Sequence, residues 1–285
     1  MKQRTLTLQQ IYKEGMKRLA DAQIAEAGLD AWELLEYVTG VSRTMYYAEP
    51  SATVSEENEK RYFDCITKRA QRIPLQHITG VQGFMGYTFR VNKHVLIPRQ
   101  DTEVLVEEAL ERLKNGMHIL DMCTGSGCIL LSLMKMGEER KHIQNLTGTG
   151  VDISEEALLV ARENAKLLGV PAEFRKSDLF SEVTGTYDIL VSNPPYIPTK
   201  VIEGLEEEVR LHDPYIALDG KEDGLYFYRR IISDSVKHMK PGGILMLEIG
   251  HDQGEAVKAM LLDAGYRDVK IKKDLAGLDR VAVAM

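Results

Sequence analysis

The chain has 285 residues, 44% of them hydrophobic, and 36 basic against 43 acidic side chains give a net charge of −7. That length supports one large or two modest cores, and the acidic balance argues against a general binder of phosphate backbones. The three cysteines, Cys65, Cys123 and Cys128, form neither a disulfide framework nor a zinc-ligand spacing, which fits a reducing cytoplasm.

The opening residues, MKQRTLTLQQIYKEGMKRL, lack the apolar stretch and cleavage site of a signal peptide. No apolar run in the chain reaches bilayer length, so no membrane association is expected. Up to Ile78 the pattern is helical. Leu8, Ile11, Tyr12, Met16 and Leu19 recur at helical spacing, as do Trp32, Leu35 and Val38 before a stop at Gly40. Ser55 to Arg72 carries Tyr62, Cys65, Ile66 and Arg69 and ends ahead of Pro74. Residues 1–78 hold 11 basic and 11 acidic side chains, so the whole −7 falls on the rest of the chain. This segment reads as a small helical domain whose stripes form a core and whose function would be to dock a partner.

From Pro74 to Arg99 the chain turns rich in glycine, aromatic and β-branched residues, with Tyr87, Phe89 and Val91 alternating. A β-hairpin linker over 79–98 follows from that alternation. Phe89 either borders a substrate pocket or packs the hairpin. A helix is expected from Asp101 to Leu113, with acids at its positive end.

From residue 99 onward a catalytic domain is expected, and after Gly116 strands and helices alternate. HILDMC, GTGVDI, AEFRKSD, YDILVSN and ILMLEIG read as strands. Ser154 caps one intervening helix and Gly169 stops it. A helix from Gly224 to Met239 is expected to end at Pro241-Gly242-Gly243. VKIKKD and RVAVAM close the chain as paired strands around Leu275-Ala276-Gly277. The pattern implies an α/β, Rossmann-like, mostly parallel sheet with an antiparallel last strand. Ligands on such sheets sit beyond the carboxyl ends of the strands.

Three successive strand ends carry ligand chemistry. Asp121-Met122-Cys123-Thr124-Gly125-Ser126-Gly127 ends the first, and its glycines allow a tight turn and a close backbone approach. It lacks the full G-x-G-x-x-G and any Walker lysine, so alone it serves equally well as a plain connection. Asp152 ends the second, where a carboxylate accepts both hydroxyls of a ribose or else supports the next helix. Asp178 ends the third and could accept from an exocyclic amine, with Leu179 and Phe180 offering apolar surface to a purine. Together they describe a nucleoside site without a phosphate-binding lysine, which suits S-adenosylmethionine, with S-adenosylhomocysteine as product, better than a nucleotide. No metal is called for.

The fourth strand ends in Asn193-Pro194-Pro195-Tyr196. Two prolines remove two N–H donors and stiffen the backbone. The Asn193 side-chain oxygen and the Pro194 carbonyl remain as acceptors, and Tyr196 adds a flat face. Such a set suits an –NH2 on a planar group, whose lone pair is delocalised and must be turned toward a methyl donor. A proline-stiffened loop without chemistry is the competing interpretation.

These motifs resemble the class I adenosylmethionine-dependent methyltransferases that act on planar nitrogens, including adenine-N6 DNA, guanine-N2 rRNA and protein-glutamine enzymes. The stretch Val95-Leu96-Ile97-Pro98-Arg99-Gln100-Asp101-Thr102-Glu103 is similar to the PrmC or HemK family, the protein-(glutamine-N5) methyltransferases of peptide chain release factors. Arg210-Leu211-His212-Asp213-Pro214, Ala217-Leu218-Asp219-Gly220, Leu247-Glu248-Ile249-Gly250 and the closing stretch Asp274 to Arg280 match as well. The resemblance implies that Cys123, Thr124, Gly125, Ser126 and Gly127 hold the cofactor with Asp152 and Leu179. It places Arg99, Thr102 and Glu103 at the methionine end of the cofactor. It implies that Asn193, Pro194, Pro195 and Tyr196 hold a glutamine from the GGQ loop of a class I release factor, with the helical domain gripping the factor. Cys123 stands where many relatives carry glycine, an exchange that asks for a negative φ there. A nucleic-acid amine or another protein glutamine, such as one on a ribosomal protein, is the alternative acceptor. The acidic catalytic part and the lack of a basic stripe speak against direct nucleic-acid contact. A binding module without chemistry is the third possibility, and the intact NPPY speaks against it. The scattered histidines, His77, His94, His212, His238 and His251, and the buried-type residues Cys128 and Trp32 are read as surface or core.

Overall fold

The computed structural model describes residues 6–285. The expectation about a leader sequence rests partly on residues 1–5, which lie outside the described residues. The chain divides into two compact units, the first ending at Gly80 and the second running from Val81 to Met285.

The first unit is helical: α1 (Leu8–Asp21), α2 (Ala27–Thr39), α3 (Arg43–Ala48), α4 (Glu56–Ala70) and α5 (Leu75–Thr79). Thr7 and Gln10 close a reciprocal capping box on α1, and Ser55 caps α4. Gly40 ends α2 in the left-handed conformation that glycine adopts freely. The anticipated stripes meet in one core around Ile11, Leu19, Leu35, Tyr62 and Ile66, with Trp32 at 5% exposure, while Met16 of the first stripe is exposed. Arg69 shares that buried stripe because it is paired: its Nε donates to Asp30 Oδ2 at 2.6 Å across α4 and α2. A charge in that position without its partner would be strongly destabilising. The short α5 ends the helical segment expected up to Ile78 and overruns it by one residue, into the range assigned to the hairpin linker. Pro74 fixes the first φ of that turn, and the chain becomes a strand only at Val81.

The second unit opens with the hairpin β1 (Val81–Phe84) and β2 (Tyr87–Arg90), turned by Met85 and Gly86, both at positive φ. Phe84 and Phe89 are buried in the main core of this unit. A 3₁₀ turn at Gln100–Thr102 leads into α6 (Glu103–Leu110). There follow β3 (His118–Met122), α7 (Cys128–Lys141), β4 (Thr147–Asp152), α8 (Glu155–Leu168), β5 (Glu173–Lys176) and β6 (Tyr187–Ser192). Three short helices, α9 (Thr199–Ile202), α10 (Glu207–His212) and α11 (Tyr215–Leu218), precede α12 (Tyr226–Ser235), β7 (Met239–Glu248), α13 (Gly254–Asp263), β8 (Lys270–Lys273) and β9 (Asp279–Ala284).

The sheet order is β5-β4-β3-β6-β7-β9-β8, parallel except for β9, which runs antiparallel to both neighbours. Both faces are covered, as the strand period of two requires. Ile119, Ile189, Val191, Met246 and Val281 enter one core, and Leu120, Leu190, Leu245, Leu247 and Ala282 the other. One boundary differs from expectation. Pro241-Gly242-Gly243 does not terminate a helix but lies inside β7. Tyr187 pairs Met239 while Ile189 pairs Ile244, so β7 carries extra residues in a bulge, a place where proline and glycine are tolerated. No described helix is long and apolar enough to cross a membrane.

Candidate active site

The carboxyl ends of β3, β4 and β6, and the loop that follows β5, converge on one cavity. Cys123, Thr124, Gly125 and Ser126 line it from β3, Asp152, Ile153 and Ser154 from β4, Ser177, Asp178 and Leu179 from the loop after β5, and Asn193 and Pro195 from β6. Parallel strands carry all of these ends to one edge of the sheet, and that common direction makes a single site of them.

The glycine loop is knitted to the neighbouring strand. Thr124 N donates to Val151 O at 3.0 Å, and Gly125 N to Asp152 Oδ2 at 2.9 Å. Gly125 has φ +54, and a Cβ placed there would meet open space, so its bare backbone faces the cavity. Asp121 supports the loop from beneath. It is fully buried, accepts from Thr124 Oγ1 at 2.6 Å and from Leu130 N at 3.4 Å, and leaves Oδ1 without a partner among the described residues. Burial pushes its carboxyl up to about 7 against those two hydrogen bonds.

Of the two roles considered for Asp152, its hydrogen bonds show the support of the next helix. Its Oδ1 accepts from Ser154 N, the cap of α8, and its Oδ2 from Gly125 N, each at 2.9 Å. Each oxygen keeps a further lone pair for a hydroxyl donor. Burial raises its pKa, opposed by hydrogen bonds from the backbone of Ser154, Gly125 and Ile153. Asp178 gives one oxygen to Arg230 Nη1 at 3.0 Å and lines the cavity beside Leu179.

Cys123 takes φ +60, and Leu179 takes φ +50. The negative φ that would have made a side chain comfortable at position 123 is not adopted, because the loop turns there as it would with glycine. A left-handed non-glycine residue costs about 1–2 kcal/mol. Burial disfavours the thiolate at both cysteines of the loop, pushing Cys128 up to about 12 and Cys123 higher still.

The NPPY segment is braced from behind. Ile197 N donates to Leu218 O, Gly220 N to Ile197 O and Gln253 Nε2 to Tyr196 O. A Cβ on Gly220 would lie 2.7 Å from the Tyr196 carbonyl carbon, so only glycine lets the two backbones approach this closely. Asn193 Nδ2 donates to Thr102 Oγ1 at 3.2 Å. Among the described residues nothing donates to Asn193 Oδ1 or to the Pro194 carbonyl.

Several anticipated residues stand elsewhere. Pro194 and Tyr196 do not line the cavity. Tyr196 is mostly packed inward, and its hydroxyl donates to Glu248 Oε1 at 3.3 Å. Glu103 faces the hairpin, where it accepts from Met85 N at 2.7 Å and pins the turn. Phe180 stacks on His238 at 4.8 Å and is buried in the core, and Phe89 packs on Phe84. Gly127 starts α7 behind the loop. Arg99 does line the cavity, with its guanidinium paired to Asp213 at 2.5 Å. Asp213 is pushed up by burial and pulled down by Arg99.

Other lining residues carry no site role in the sequence, where His94 reads as surface or core. Phe227, at the start of α12, supplies the aromatic wall that Phe180 does not, and its only signal was the run Tyr226-Phe227-Tyr228. His94, Val95 and Leu96 line the cavity from the segment after the hairpin, which Val91 and Val95 fasten to Ala157 and Val160 of α8. Pro214, Ile216 and Ala217 complete the wall.

Comparison with known proteins agrees with this geometry. Residues 10–80 match the PrmC N-terminal domain and residues 100–207 the methyltransferase small domain. The release factor glutamine methyltransferase of Caulobacter vibrioides is 41% identical over 288 residues, covering 99% of this chain and 97% of the relative. That of Moorella thermoacetica is 40% identical, covering 98% of each. In fold, the chain is similar to a methyltransferase from Pyrococcus furiosus, with a TM-score of 0.54 and 21% identity over 76% of this chain and 97% of that one. It is likewise similar to the hMettl16 catalytic domain, with a TM-score of 0.55 and 15% identity over 82% and 84%.

Proposed function

The chain belongs to the release factor glutamine methyltransferase family, and from that premise we propose that it transfers a methyl group from S-adenosylmethionine to the side-chain amide of the glutamine in a GGQ loop. The carrying observation is Asn193, which lines the cavity with its Oδ1 unclaimed, followed directly in the chain by a Pro194 carbonyl that is also unclaimed among the described residues.

The residues present fit the cofactor. Gly125 offers bare backbone, Asp152 keeps lone pairs for two ribose hydroxyls, Asp178 has an oxygen for an exocyclic amine, and Leu179 and Phe227 give apolar and aromatic surface. Arg99 and Thr102 line the same cavity, and Thr102 is hydrogen-bonded to Asn193. When bound, S-adenosylmethionine supplies an electrophilic methyl group.

The chain's own work is to present the nucleophile. A glutamine nitrogen is a poor nucleophile because its lone pair is shared with its carbonyl. Asn193 Oδ1 and the Pro194 carbonyl each take one of its N–H groups, which turns the lone pair into the cavity and disperses the positive charge that develops on nitrogen. The N-methylated amide is strongly acidic while it carries the extra proton and gives it to water afterwards, so no strong general base is required. The prolines keep competing donors away, and the rigid segment limits reorganisation.

In this account residues 1–78 grip the factor, the hairpin over 79–98 joins the parts, and residues 99–285 carry the chemistry, in the cytoplasm. The test is incubation with labelled S-adenosylmethionine and purified class I release factor, followed by peptide mapping. Label on the GGQ glutamine alone is expected. Label on ribosomal protein or nucleic acid instead would overturn the acceptor.

A further inference from the structure

Thr102 sits immediately ahead of α6, where a threonine hydroxyl ordinarily accepts backbone N–H groups of the first turn. It makes no such bond, and its own backbone is helical, with φ −67 and ψ −19. The residue is buried at 2% exposure, and its Oγ1 instead accepts from Asn193 Nδ2 at 3.2 Å. The two ends of an amide are chemically opposite, one a donor and the other an acceptor. With Nδ2 committed to Thr102, Oδ1 is the end of Asn193 left for the cavity.

Glu248 stands behind Thr102. It is also 2% exposed, its Oε1 accepts from Tyr196, and its Oε2 has no partner among the described residues. Burial pushes the Glu248 carboxyl up to about 7, against the Thr102 hydroxyl, Arg280 and Tyr196, which favour its ionised form, while Asp101 adds to the rise. In its ionised form that carboxylate draws the Thr102 proton toward itself and leaves the Oγ1 lone pairs to Asn193.

We propose that Thr102, backed by Glu248, is a positioning residue that sets the orientation of the Asn193 amide, so that its carbonyl rather than its –NH2 meets the acceptor nitrogen. The inference deepens the proposed function and rests on Asn193 receiving an N–H of the substrate amide. A reversed Asn193 would set donor against donor and hold the nucleophile in an unproductive pose.

Thr102→Val keeps the shape and removes the acceptor, whereas Thr102→Ser keeps the hydroxyl. With S-adenosylmethionine and a GGQ-containing release factor, Thr102→Val is expected to lose about 10-fold to 100-fold in kcat while cofactor Kd changes by less than about threefold. Thr102→Ser is expected to restore kcat to within about threefold of the unaltered enzyme. A Thr102→Val enzyme with unaltered kcat overturns the proposal, and so does a fall in cofactor affinity equal to the fall in turnover. Should Thr102→Val not fold, Glu248→Gln carries the test: its amide can donate to Thr102 and compete with Asn193, so reduced kcat at unaltered cofactor Kd is expected. Unaltered kcat in that variant overturns the proposal as well. If the unaltered enzyme labels no glutamine at all, the proposed function fails instead.

Discussion

Asp121 offers a stability test whose sign and size follow from its surroundings. Its carboxyl is fully buried, and burial raises it from an ordinary 3.8 to about 7. The folded protein therefore holds a proton over a range where the unfolded chain has lost it. A group of this kind contributes stability that is complete below the unfolded pKa and is lost as pH rises to the folded one. One unit is worth about 1.4 kcal/mol, so the whole shift corresponds to about 4 kcal/mol. Between about pH 5 and about pH 8 the loss is about 2–3 kcal/mol. Asp121→Asn cannot ionise, yet its side-chain oxygen can still accept from Thr124 and Leu130. Burying an extra –NH2 adds a cost of about 1–3 kcal/mol, but that cost does not vary with pH. The difference in unfolding free energy between the two proteins should therefore move in favour of Asn by about 2–3 kcal/mol from about pH 5 to about pH 8. Urea unfolding followed by far-UV circular dichroism measures it. Parallel stability curves across that range would refute the argument, whatever their offset.

Asn193→Ala removes a free acceptor and should lower kcat by about 100-fold or more with cofactor Kd nearly unchanged; calorimetric titration and initial rates decide it, and full turnover would sink the role given to Asn193. Asp152→Asn puts an –NH2 against the N–H of either Gly125 or Ser154 and removes a charged acceptor. Affinity for S-adenosylmethionine should fall about 10-fold to 100-fold, and an unchanged Kd would contradict it. Gly220→Ala drives a Cβ to 2.7 Å from the Tyr196 carbonyl carbon. A loss of about 1–3 kcal/mol in stability, with reduced kcat, is expected; a variant with unaltered Tm and kcat would show that the close approach is unimportant.

Local rules made much of this protein legible before folding. The helical stripes of the first unit, the capping by Ser154, the stops at Gly40 and Gly169, and the alternating strands all depend on residues close in sequence. The carboxyl-end rule for parallel sheets then placed Gly125, Asp152, Asp178 and Asn193 around a common site, and they do line one cavity. Side-chain direction was not legible, because it depends on partners distant in the chain. Glu103 could have faced a cofactor, but the backbone of Met85 claims it. Phe180 could have faced a purine, but it stacks on His238 while Phe227 takes the wall. Cys123 was free by composition to keep a negative φ, yet the glycine-loop geometry imposes a positive one. The sequence by itself determined which strand ends carry chemistry, since period and turn residues are local properties. Only the tertiary structure decided which end of the Asn193 amide faces the cavity, since that choice belongs to Thr102, 91 positions away in the chain.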